Sequence, residues 1–376
     1  MMNTSWINHC APDLRTLKGK RVIVRVDWNV PVNNGQITDT SRIEVSVPFL
    51  QHLSGAGAKI IILSHFGEKG ESLNTVAQYV AKNLSFIAFN PSSDFTELEK
   101  ASRELPEGNG ILLENVRLFK GETENLEALA DSFATLGDIF INDAFSVAHR
   151  THASVVALAE RRLSYFGPTF ERELENLTNA LAPVQPALLI VGGAKIATKL
   201  ELIKKYLDQG VKVFVGGAMV HNIWYEQGIN IGKSLYDPNY RLATNFVNHP
   251  LLITPLDVIL ENGDKVPVKL IPKDGVVVDC GPETVEMVNK LVTVSNTVIA
   301  NGPLGLYEKG WLSGSEKILT NLAESHVTSY IGGGDTVTVA HKLGLLQKFN
   351  FVSLGGGAML DFLSSGTLPG IDAVTK

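Results

Sequence analysis

Short apolar runs alternate with amphipathic stretches along the first half of the chain. Continuous apolar runs are typical of strands buried on both faces, whereas apolar residues three and four positions apart indicate helices. The runs predict strands over 21–32, 58–67, 85–90, 110–117 and 138–145. The helical spacing predicts helices over Ser41–His52, over Asn74–Asn83 and near Glu122–Leu136. This alternation predicts a mostly parallel sheet with helices on both faces.

The second half repeats one device, in which an apolar strand leads through glycines into a helix. It occurs as LLIVGGAK, VFVGGAM, TVIANGPLG, SYIGGGDT and FVSLGGGAM. Glycine lets backbone amides approach a ligand closely because it has no Cβ. One such turn is weak evidence, since glycines also serve packing, but five in one half favour a nucleotide-binding edge.

A helix is predicted between these two halves. Apolar residues recur at helical spacing from Phe170 to Leu181, and Thr169 is a predicted N-cap. The interpretation is a rigid link between two lobes. The predicted fold class is therefore α/β, with two doubly wound, mostly parallel βα lobes joined by a helix.

Composition narrows the class of protein. A chain of 376 residues favours two domains, and a net charge of −6 argues against general nucleic-acid binding. Cys10 and Cys280 lie far apart without metal-site spacing, which fits a reducing compartment. No apolar run approaches the ~20 residues of a membrane span. We expect a soluble cytoplasmic protein that binds neither membrane nor nucleic acid.

Polar residues follow the predicted strands of the first half. The carboxyl ends of parallel strands share one edge of the sheet, where ligands bind. The residues expected there are Asp27, Asn29, Ser64, His65, Glu114, Asn115, Arg117, Asn142, Asp143, His149, Arg150 and His152, with Arg42 nearby. A lone arginine is usually a surface ion pair, but several arginines at one edge of an acidic protein indicate an anion site.

The stretch from Leu188 to Leu200 is the strongest candidate for phosphate binding. Lys195 and Lys199 are four residues apart at the start of a predicted helix, which would place both ammonium groups beside free backbone N–H groups. Asp335 follows three glycines and is well placed to hold Mg²⁺, which takes one or two carboxylates together with substrate phosphates. The segment GINIGKS is one residue too short for a Walker A loop.

Several segments together resemble the phosphoglycerate kinase family. They are RVDWNVPV, SRI, SHFG, ENVRLF, NDAFSVAHRTHAS, GGAKIATK, IGKSL, NGPLGLYE, GGGDT, GGGA and LPG, in the family's order from about Arg21 to Gly370. The resemblance implies Mg²⁺-dependent, reversible phosphoryl transfer between ATP and the carboxylate of 3-phosphoglycerate, giving ADP and 1,3-bisphosphoglycerate, by a monomer. It implies an acceptor domain over 1–168, a linking helix over 169–182, a nucleotide domain over 183–362 and a tail over 363–376 that returns to the first domain.

The resemblance also implies a role for individual residues. The acceptor site would comprise Asp27, Asn29, Arg42, His65, Arg117 and Arg150. The nucleotide site would comprise Gly193, Lys195, Lys199, Gly216, Asn301, Glu308, Gly332, Gly333, Gly334, Asp335 and Thr336. Arg42 and Lys195 would be catalytic and meet the transferred group, Asp335 would hold the metal, and Glu308 would hold the ribose hydroxyls.

The chain departs from the family pattern at the acceptor edge. Glu68 replaces the arginine expected to bind the acceptor's phosphate, with Lys69 beside it as a possible substitute, and Ser146-Val147 replaces the usual Gly-Thr. Two alternatives therefore stand beside an active kinase. One is a catalytically weak relative that binds nucleotide in a regulatory or interaction role, and the other is an acyl-phosphate kinase with a less charged acceptor.

Overall fold

A computed structural model of the chain describes residues 5–68 and 70–376. The chain forms two compact units, one comprising Met1–Glu175 with Ser365–Lys376 and the other Asn176–Ser364. The boundary near Glu175 falls inside a helix that spans Pro168–Leu181. Within the described residues, no helix is both long and apolar enough to cross a bilayer.

The first unit contains a six-stranded, wholly parallel sheet. Its strands and a small hairpin are β1 (Arg21–Arg25), β2 (Val32–Asn33), β3 (Gln36–Ile37), β4 (Lys59–Leu63), β5 (Ile87–Asn90), β6 (Gly110–Leu113), β7 (Ile139–Asn142) and β8 (Leu163–Phe166). Its helices are α1 (Ser41–Glu44), α2 (Val47–Gly55), α3 (Asn74–Asn83), α4 (Phe95–Glu104), α5 (Glu127–Thr135) and the start of α6 (Pro168–Leu181). The strand order is β5-β6-β4-β1-β7-β8, and β2 pairs with β3 outside the sheet.

Strand β1 lies at the centre of this sheet. It pairs in parallel with β4, where Arg25 lies opposite Leu63, and with β7, where Arg25 lies opposite Asn142. Val22 and Val24 are fully buried in a core that also includes Ile60 and Ile62. The segments that follow β1, β4, β6 and β7 therefore emerge at one edge of the sheet.

The second unit repeats this architecture and adds an antiparallel sheet. Its strands are β9 (Ala187–Val191), β10 (Lys212–Val215), β11 (Leu252–Ile253), β12 (Asp257–Leu260), β13 (Lys265–Pro267), β14 (Val277–Cys280), β15 (Thr297–Asn301), β16 (Thr328–Gly332) and β17 (Phe351–Val352). Its helices are α7 (Leu200–Asp208), α8 (Val220–Glu226), α9 (Thr244–Val247), α10 (Pro282–Thr293), α11 (Ser313–Glu324), α12 (Gly334–Lys342) and α13 (Gly356–Ser365). The parallel order is β11-β10-β9-β15-β16-β17, and β13-β12-β14 is antiparallel. Each of the five glycine turns follows a strand of the parallel sheet, as predicted.

The predicted fold class is confirmed, but several boundaries were wrong. Four of the five strands predicted in the first half end earlier than predicted, because the polar residues after them belong to the edge, whereas β5 ends at Asn90 as predicted. The helix predicted over Ser41–His52 is two helices, Ser41–Glu44 and Val47–Gly55. Thr169 does not cap the linking helix: it lies inside α6, and its backbone N–H donates to Asp143 Oδ1 at 2.7 Å.

The chain ends in a short helix, α14 (Pro369–Thr375), that belongs to the first unit. It packs against β8 and two 3₁₀ turns. The Gly370 N–H donates to the Ala148 carbonyl at 2.9 Å. A Cβ at Gly370 would lie 3.1 Å from the Ala148 Cα, so this close approach favours glycine.

Candidate active site

Asp27 is the centre of a polar cluster at the carboxyl edge of the first sheet. Its Oδ2 accepts from Arg42 Nη1 at 2.5 Å and from the Ser146 hydroxyl at 2.5 Å. Its Oδ1 accepts from the Asn29 N–H at 3.2 Å. Burial alone would raise the pKa of Asp27, but the charge of Arg42 and the hydrogen bonds from Ser146 and Asn29 outweigh burial and hold this pKa below its usual value. Asp27 is therefore an ionised carboxylate that only accepts hydrogen bonds.

The loop that follows β4 is tied to the same cluster. The Gly67 N–H donates to Asn29 Oδ1 at 2.9 Å, and the Arg117 guanidinium donates to the Gly67 carbonyl. Asn115 also holds this loop, since its side chain bonds both the N–H and the carbonyl of Phe66. Two asparagines and one arginine thus fix the backbone immediately before Glu68.

Arg117 lies among charges of both signs. Burial lowers the pKa of Arg117, the neighbouring cation Arg150 lowers it further, and the Glu68 carboxylate opposes both effects. Arg150 and Glu68 are exposed, so this end of the cluster faces solvent. Lys69 lies outside the described residues, so its expected part in phosphate binding stays a prediction.

Arg25 is a member of the cluster that the sequence reasoning missed. Its side chain is only 1% exposed, and Nη2 lies 3.4 Å from His65 Nδ1. Its Nε donates to the Ser154 hydroxyl at 3.0 Å, and Ser154 in turn donates to Glu122 Oε1 at 2.6 Å. A charged residue at the end of the apolar run RVIVR was the available signal, because buried charges need partners.

The corresponding edge of the second sheet is organised around Lys199. This side chain is 8% exposed, and its ammonium donates to the carbonyls of Gly192 at 2.8 Å and Asn301 at 3.1 Å. It also donates to Asn301 Oδ1 at 2.8 Å. Burial lowers the pKa of Lys199 to about 8, although the Asp335 carboxylate opposes the shift. The ends of the adjacent strands β9 and β15 are thus joined by one cation.

Glycine turns complete this edge. Gly193 has φ of +102° and Gly333 has φ of +92°, a region that residues with a Cβ rarely adopt. The buried Thr336 hydroxyl accepts from the Gly302 N–H at 2.8 Å. The Asn301 Nδ2 is buried without a hydrogen-bond partner, and a Cβ at Gly333 would lie 3.2 Å from it. A buried amide donor of this kind is available to an oxygen atom of a ligand.

The remaining predicted residues lie in or after strands β10, β15 and β16. Gly332 ends β16, and Gly334 and Asp335 begin α12, where Asp335 is exposed. Gly216 follows β10, and its N–H donates to the Val191 carbonyl at 2.8 Å. Glu308 is exposed in a short 3₁₀ turn.

The shared helix face predicted for the two lysines is wrong. Helix α7 begins at Leu200, and a 3₁₀ turn over Ile196–Thr198 separates Lys195 from Lys199. Lys195 is exposed whereas Lys199 is buried. The glycine turn delays the start of the helix, so the four-residue spacing does not stack the two side chains.

The described residues contain no cluster of three or more histidine, cysteine, aspartate or glutamate side chains that could hold a metal ion. The exposed Asp335 carboxylate nevertheless fits a cation whose other ligands come from a phosphate chain and water, because Mg²⁺ commonly uses a single protein carboxylate in this way.

Comparison with known proteins decides the family. The family model for phosphoglycerate kinase matches residues 12–366. A curated phosphoglycerate kinase of Sinorhizobium medicae is 36% identical over 390 residues, which cover 97% of this chain and 98% of the relative. The chain belongs to the phosphoglycerate kinase family. A phosphoglycerate kinase of Rubrobacter xylanophilus is 37% identical and covers 94% of this chain, with 95% of its own length matched.

Solved structures agree with the family assignment. Phosphoglycerate kinase from Coxiella burnetii has a TM-score of 0.84 at 34% identity, covering 96% of this chain and 97% of that chain. Phosphoglycerate kinase from Pyrococcus horikoshii OT3 has a TM-score of 0.80 at 25% identity, covering 95% and 96%. The similarity spans both units, so the chain has the fold of the whole phosphoglycerate kinase family and not that of one half.

Proposed function

We propose that this chain catalyses the reversible transfer of a phosphoryl group between ATP and the carboxylate of 3-phosphoglycerate, as in glycolysis. The observation that carries the proposal is the family match over residues 12–366, which includes both polar edges. The edges themselves suit the two substrates, since one gathers arginines and the other combines glycine turns with a buried lysine.

We assign the acceptor to the first unit. Arg42, Arg117 and Arg150 supply positive charge for the phosphate and carboxylate of 3-phosphoglycerate, and His65 and Asn29 supply further polar contacts. The acceptor's hydroxyl is its one hydrogen-bond donor when it is fully ionised. It suits Asp27, which is ionised and only accepts.

We assign ATP and ADP to the second unit. Lys195, Lys199 and the glycine turns at Gly193, Gly216 and Gly332–Gly334 serve the phosphates. Asn301 and Thr336 form the floor of this site, and Glu308 binds the ribose. Asp335 would hold Mg²⁺, which neutralises phosphate charge when bound.

The chemistry requires positioning and charge neutralisation. An acceptor carboxylate with a pKa of about 4 is already ionised at neutral pH, so no general base is needed. Arg42 and Lys195 would stabilise the charge on the transferring oxygens, and each such contact is worth roughly 10²–10³ in rate. We also propose that the protein acts as a cytoplasmic monomer, which fits its two separate free cysteines.

The direct test is a coupled assay with Mg²⁺, ATP and 3-phosphoglycerate, together with calorimetric titration of ADP. Turnover that depends on all three components is the expected result. Binding of Mg·ADP without turnover at saturating 3-phosphoglycerate would instead favour the weak, nucleotide-binding relative. Turnover with a less charged acceptor, such as a carboxylate without a phosphate group, in preference to 3-phosphoglycerate would favour the other acyl-phosphate kinase.

A further inference from the structure

His65 lies between two groups that make opposite demands on the same ring nitrogen. Its Nδ1 is 3.4 Å from Arg25 Nη2 and 3.8 Å from Asp27 Oδ1. A guanidinium can only donate hydrogen bonds, and a carboxylate can only accept them. Nδ1 can therefore serve Arg25 only through its lone pair, or Asp27 only by carrying a proton.

We propose that Arg25 is a positioning residue that fixes His65 as the neutral imidazole with its proton on Nε2. The contact to Arg25 is within hydrogen-bond distance, and that to Asp27 is not. With Nδ1 occupied as an acceptor, Nε2–H is the one donor that the ring can offer. The ring thus presents a fixed donor without adding a positive charge.

The charges around His65 favour the same form. Arg25, Arg117 and Arg42 all act against a proton on the ring, and Asp27 alone supports one. Burial is the largest influence, and together with the three cations it lowers the pKa of His65 to about 3. A second proton is therefore excluded across the neutral pH range, and the choice left is between the two neutral tautomers.

A buried relay, meaning the chain of hydrogen bonds from Arg25 through Ser154 to Glu122, holds Arg25 in place. Its Nη1 donates to the Val26 carbonyl at 2.5 Å and its Nε to Ser154 Oγ at 3.0 Å. Glu122, which is 1% exposed, accepts from both the N–H and the hydroxyl of Ser154, at 2.9 and 2.6 Å. Burial lowers the pKa of Arg25 and the negative charge of Glu122 opposes that shift, so the buried guanidinium has a compensating charge beside its hydrogen-bond partners.

The tautomer of His65 is inferred from this geometry alone. Its role in binding the acceptor rests on the proposed function. A neutral ring that donates from Nε2 can bond an anionic oxygen of 3-phosphoglycerate throughout the neutral and mildly acidic pH range. An imidazolium would lose its positive charge, and with it part of its attraction for the anion, as the pH rose through its pKa. The relay thereby removes one source of pH dependence from acceptor binding.

The first experiment needs no substrate. Long-range ¹H–¹⁵N spectra of the imidazole rings of the intact protein report which nitrogen carries the proton, and a His65→Gln variant assigns the signals. We expect Nε2 protonated and Nδ1 unprotonated from pH 5 to pH 8. A proton on Nδ1, or an imidazolium signal in that range, would overturn the inference. Absence of turnover with the expected tautomer would instead count against the proposed function.

The second experiment separates positioning from stability. In Arg25→Met the donor to Nδ1 is lost, so we expect the Nδ1–H form to appear and the KM for 3-phosphoglycerate to rise about tenfold, in line with one charge-assisted hydrogen bond, with the KM for ATP unchanged. Arg25→Lys should restore part of both. Arg21→Met is the matched control, because Arg21 lies at the other end of β1 and donates to Asp138 and to the Thr135 carbonyl. If Arg21→Met changes the tautomer and the KM equally, the effect is a general consequence of strand damage and the proposal fails.

Discussion

At the scale of single residues, one carboxylate oxygen of Asp27 accepts hydrogen bonds from both Arg42 and Ser146. The Ser146 hydroxyl competes with any substrate hydroxyl for the same carboxylate. We therefore expect Ser146→Ala to lower the KM for 3-phosphoglycerate about two- to tenfold, the range of one net hydrogen bond.

The matched substrate for this test is the analogue of 3-phosphoglycerate that lacks the hydroxyl, whose KM should not change. The matched variant is Ser41→Ala, because Ser41 is exposed and precedes Arg42. An equal rise in KM for both acceptors would show that Ser146 supports Asp27 instead of competing for it.

Glu68 is the second residue-scale departure. Its carboxylate is exposed and acts on Arg117, so it opposes the positive charge that an acceptor phosphate would meet. We expect Glu68→Arg to lower the KM for 3-phosphoglycerate about two- to fivefold, as for an exposed charge pair, with ATP kinetics unchanged. The gain should shrink as salt is raised.

Either Glu68 or Lys69 could occupy the position of the arginine that the family pattern predicts. The backbone at Gly67 is fixed by Asn29 and Arg117, which favours the view that Glu68 itself occupies the position of the expected arginine. A large loss of acceptor affinity in Lys69→Ala, together with no gain in Glu68→Arg, would contradict that view and assign the arginine's role to Lys69.

Lys199 gives a prediction about protons. Its pKa of about 8 in the free protein means that the ammonium is partly deprotonated at pH 8.5, and bound phosphates should favour the charged form. Binding of ADP at pH 8.5 should therefore take up protons. Calorimetry in two buffers of different ionisation enthalpy would measure this uptake, which should vanish in Lys199→Arg because arginine stays charged. Identical heats for the unaltered protein in both buffers would contradict the prediction.

At the scale of elements, the N-terminus of helix α6 is capped by the side chain of a residue that is distant in the sequence. Asp143 follows β7, and its Oδ1 accepts from the N–H groups of Thr169 at 2.7 Å and Phe170 at 3.2 Å. A Cβ at Gly167 would lie 2.5 Å from that oxygen. The acceptor edge and the linking helix thus share one capping carboxylate.

This cap makes stability depend on pH in a defined direction. Burial raises the pKa of Asp143 to about 7 from 3.8, so between these values the folded state binds more protons than the unfolded state. The penalty for the buried charge is present above pH 7 and is relieved as the pH falls. Asp143→Asn keeps an acceptor at Oδ1 without the charge, so it should gain stability relative to the unaltered protein as the pH rises. The difference between the two free energies of unfolding should shift in favour of the variant by about 2 kcal/mol from pH 5.5 to pH 8.

Chemical denaturation of both proteins across that pH range measures the difference. Asp143→Ala is the second variant, because it loses both capping bonds and should cost about 0.5–2 kcal/mol near pH 5.5. A pH-independent difference for Asp143→Asn would show that this carboxyl group does not titrate near neutrality.

The sequence predicted these elements better than their connections. Continuous apolar runs located the parallel strands, and α3 matched its predicted bounds, because both signals depend on local periodicity. The cap on α6 could not be predicted, since it depends on a contact between residues 143 and 169. Ser154 was missed at the site for the same reason, since its role comes from its contact with Arg25, which is 129 residues away in the sequence. The charge at the end of RVIVR marked Arg25 itself, but not its contact with His65.

At the scale of the whole molecule, the first unit is built from both ends of the chain. Helix α14 bonds Ala148, which lies two residues from Ser146 and two from Arg150. Removal of the residues after Ser365 should therefore weaken 3-phosphoglycerate binding about tenfold, because buried apolar contacts are lost. ADP binding to the second unit should be retained.

Titration calorimetry with each ligand separately tests this division. Lys376→Ala is the control, because it removes only the exposed ion pair to Glu160 at 2.6 Å and should leave both affinities unchanged. Equal weakening of ADP and 3-phosphoglycerate in the truncated chain would show that the tail supports the entire fold.

The same arrangement sets an order for biosynthesis. The second unit is a continuous segment, Asn176–Ser364, so a ribosome supplies all of it before the last twelve residues appear. The first unit begins to emerge earliest but lacks α14 until Pro369–Thr375 have been made and have left the ribosome. Vectorial synthesis usually completes the N-terminal part first. Here the part that emerges first reaches its final form last, because the first unit is incomplete until residues 365–376 have been made.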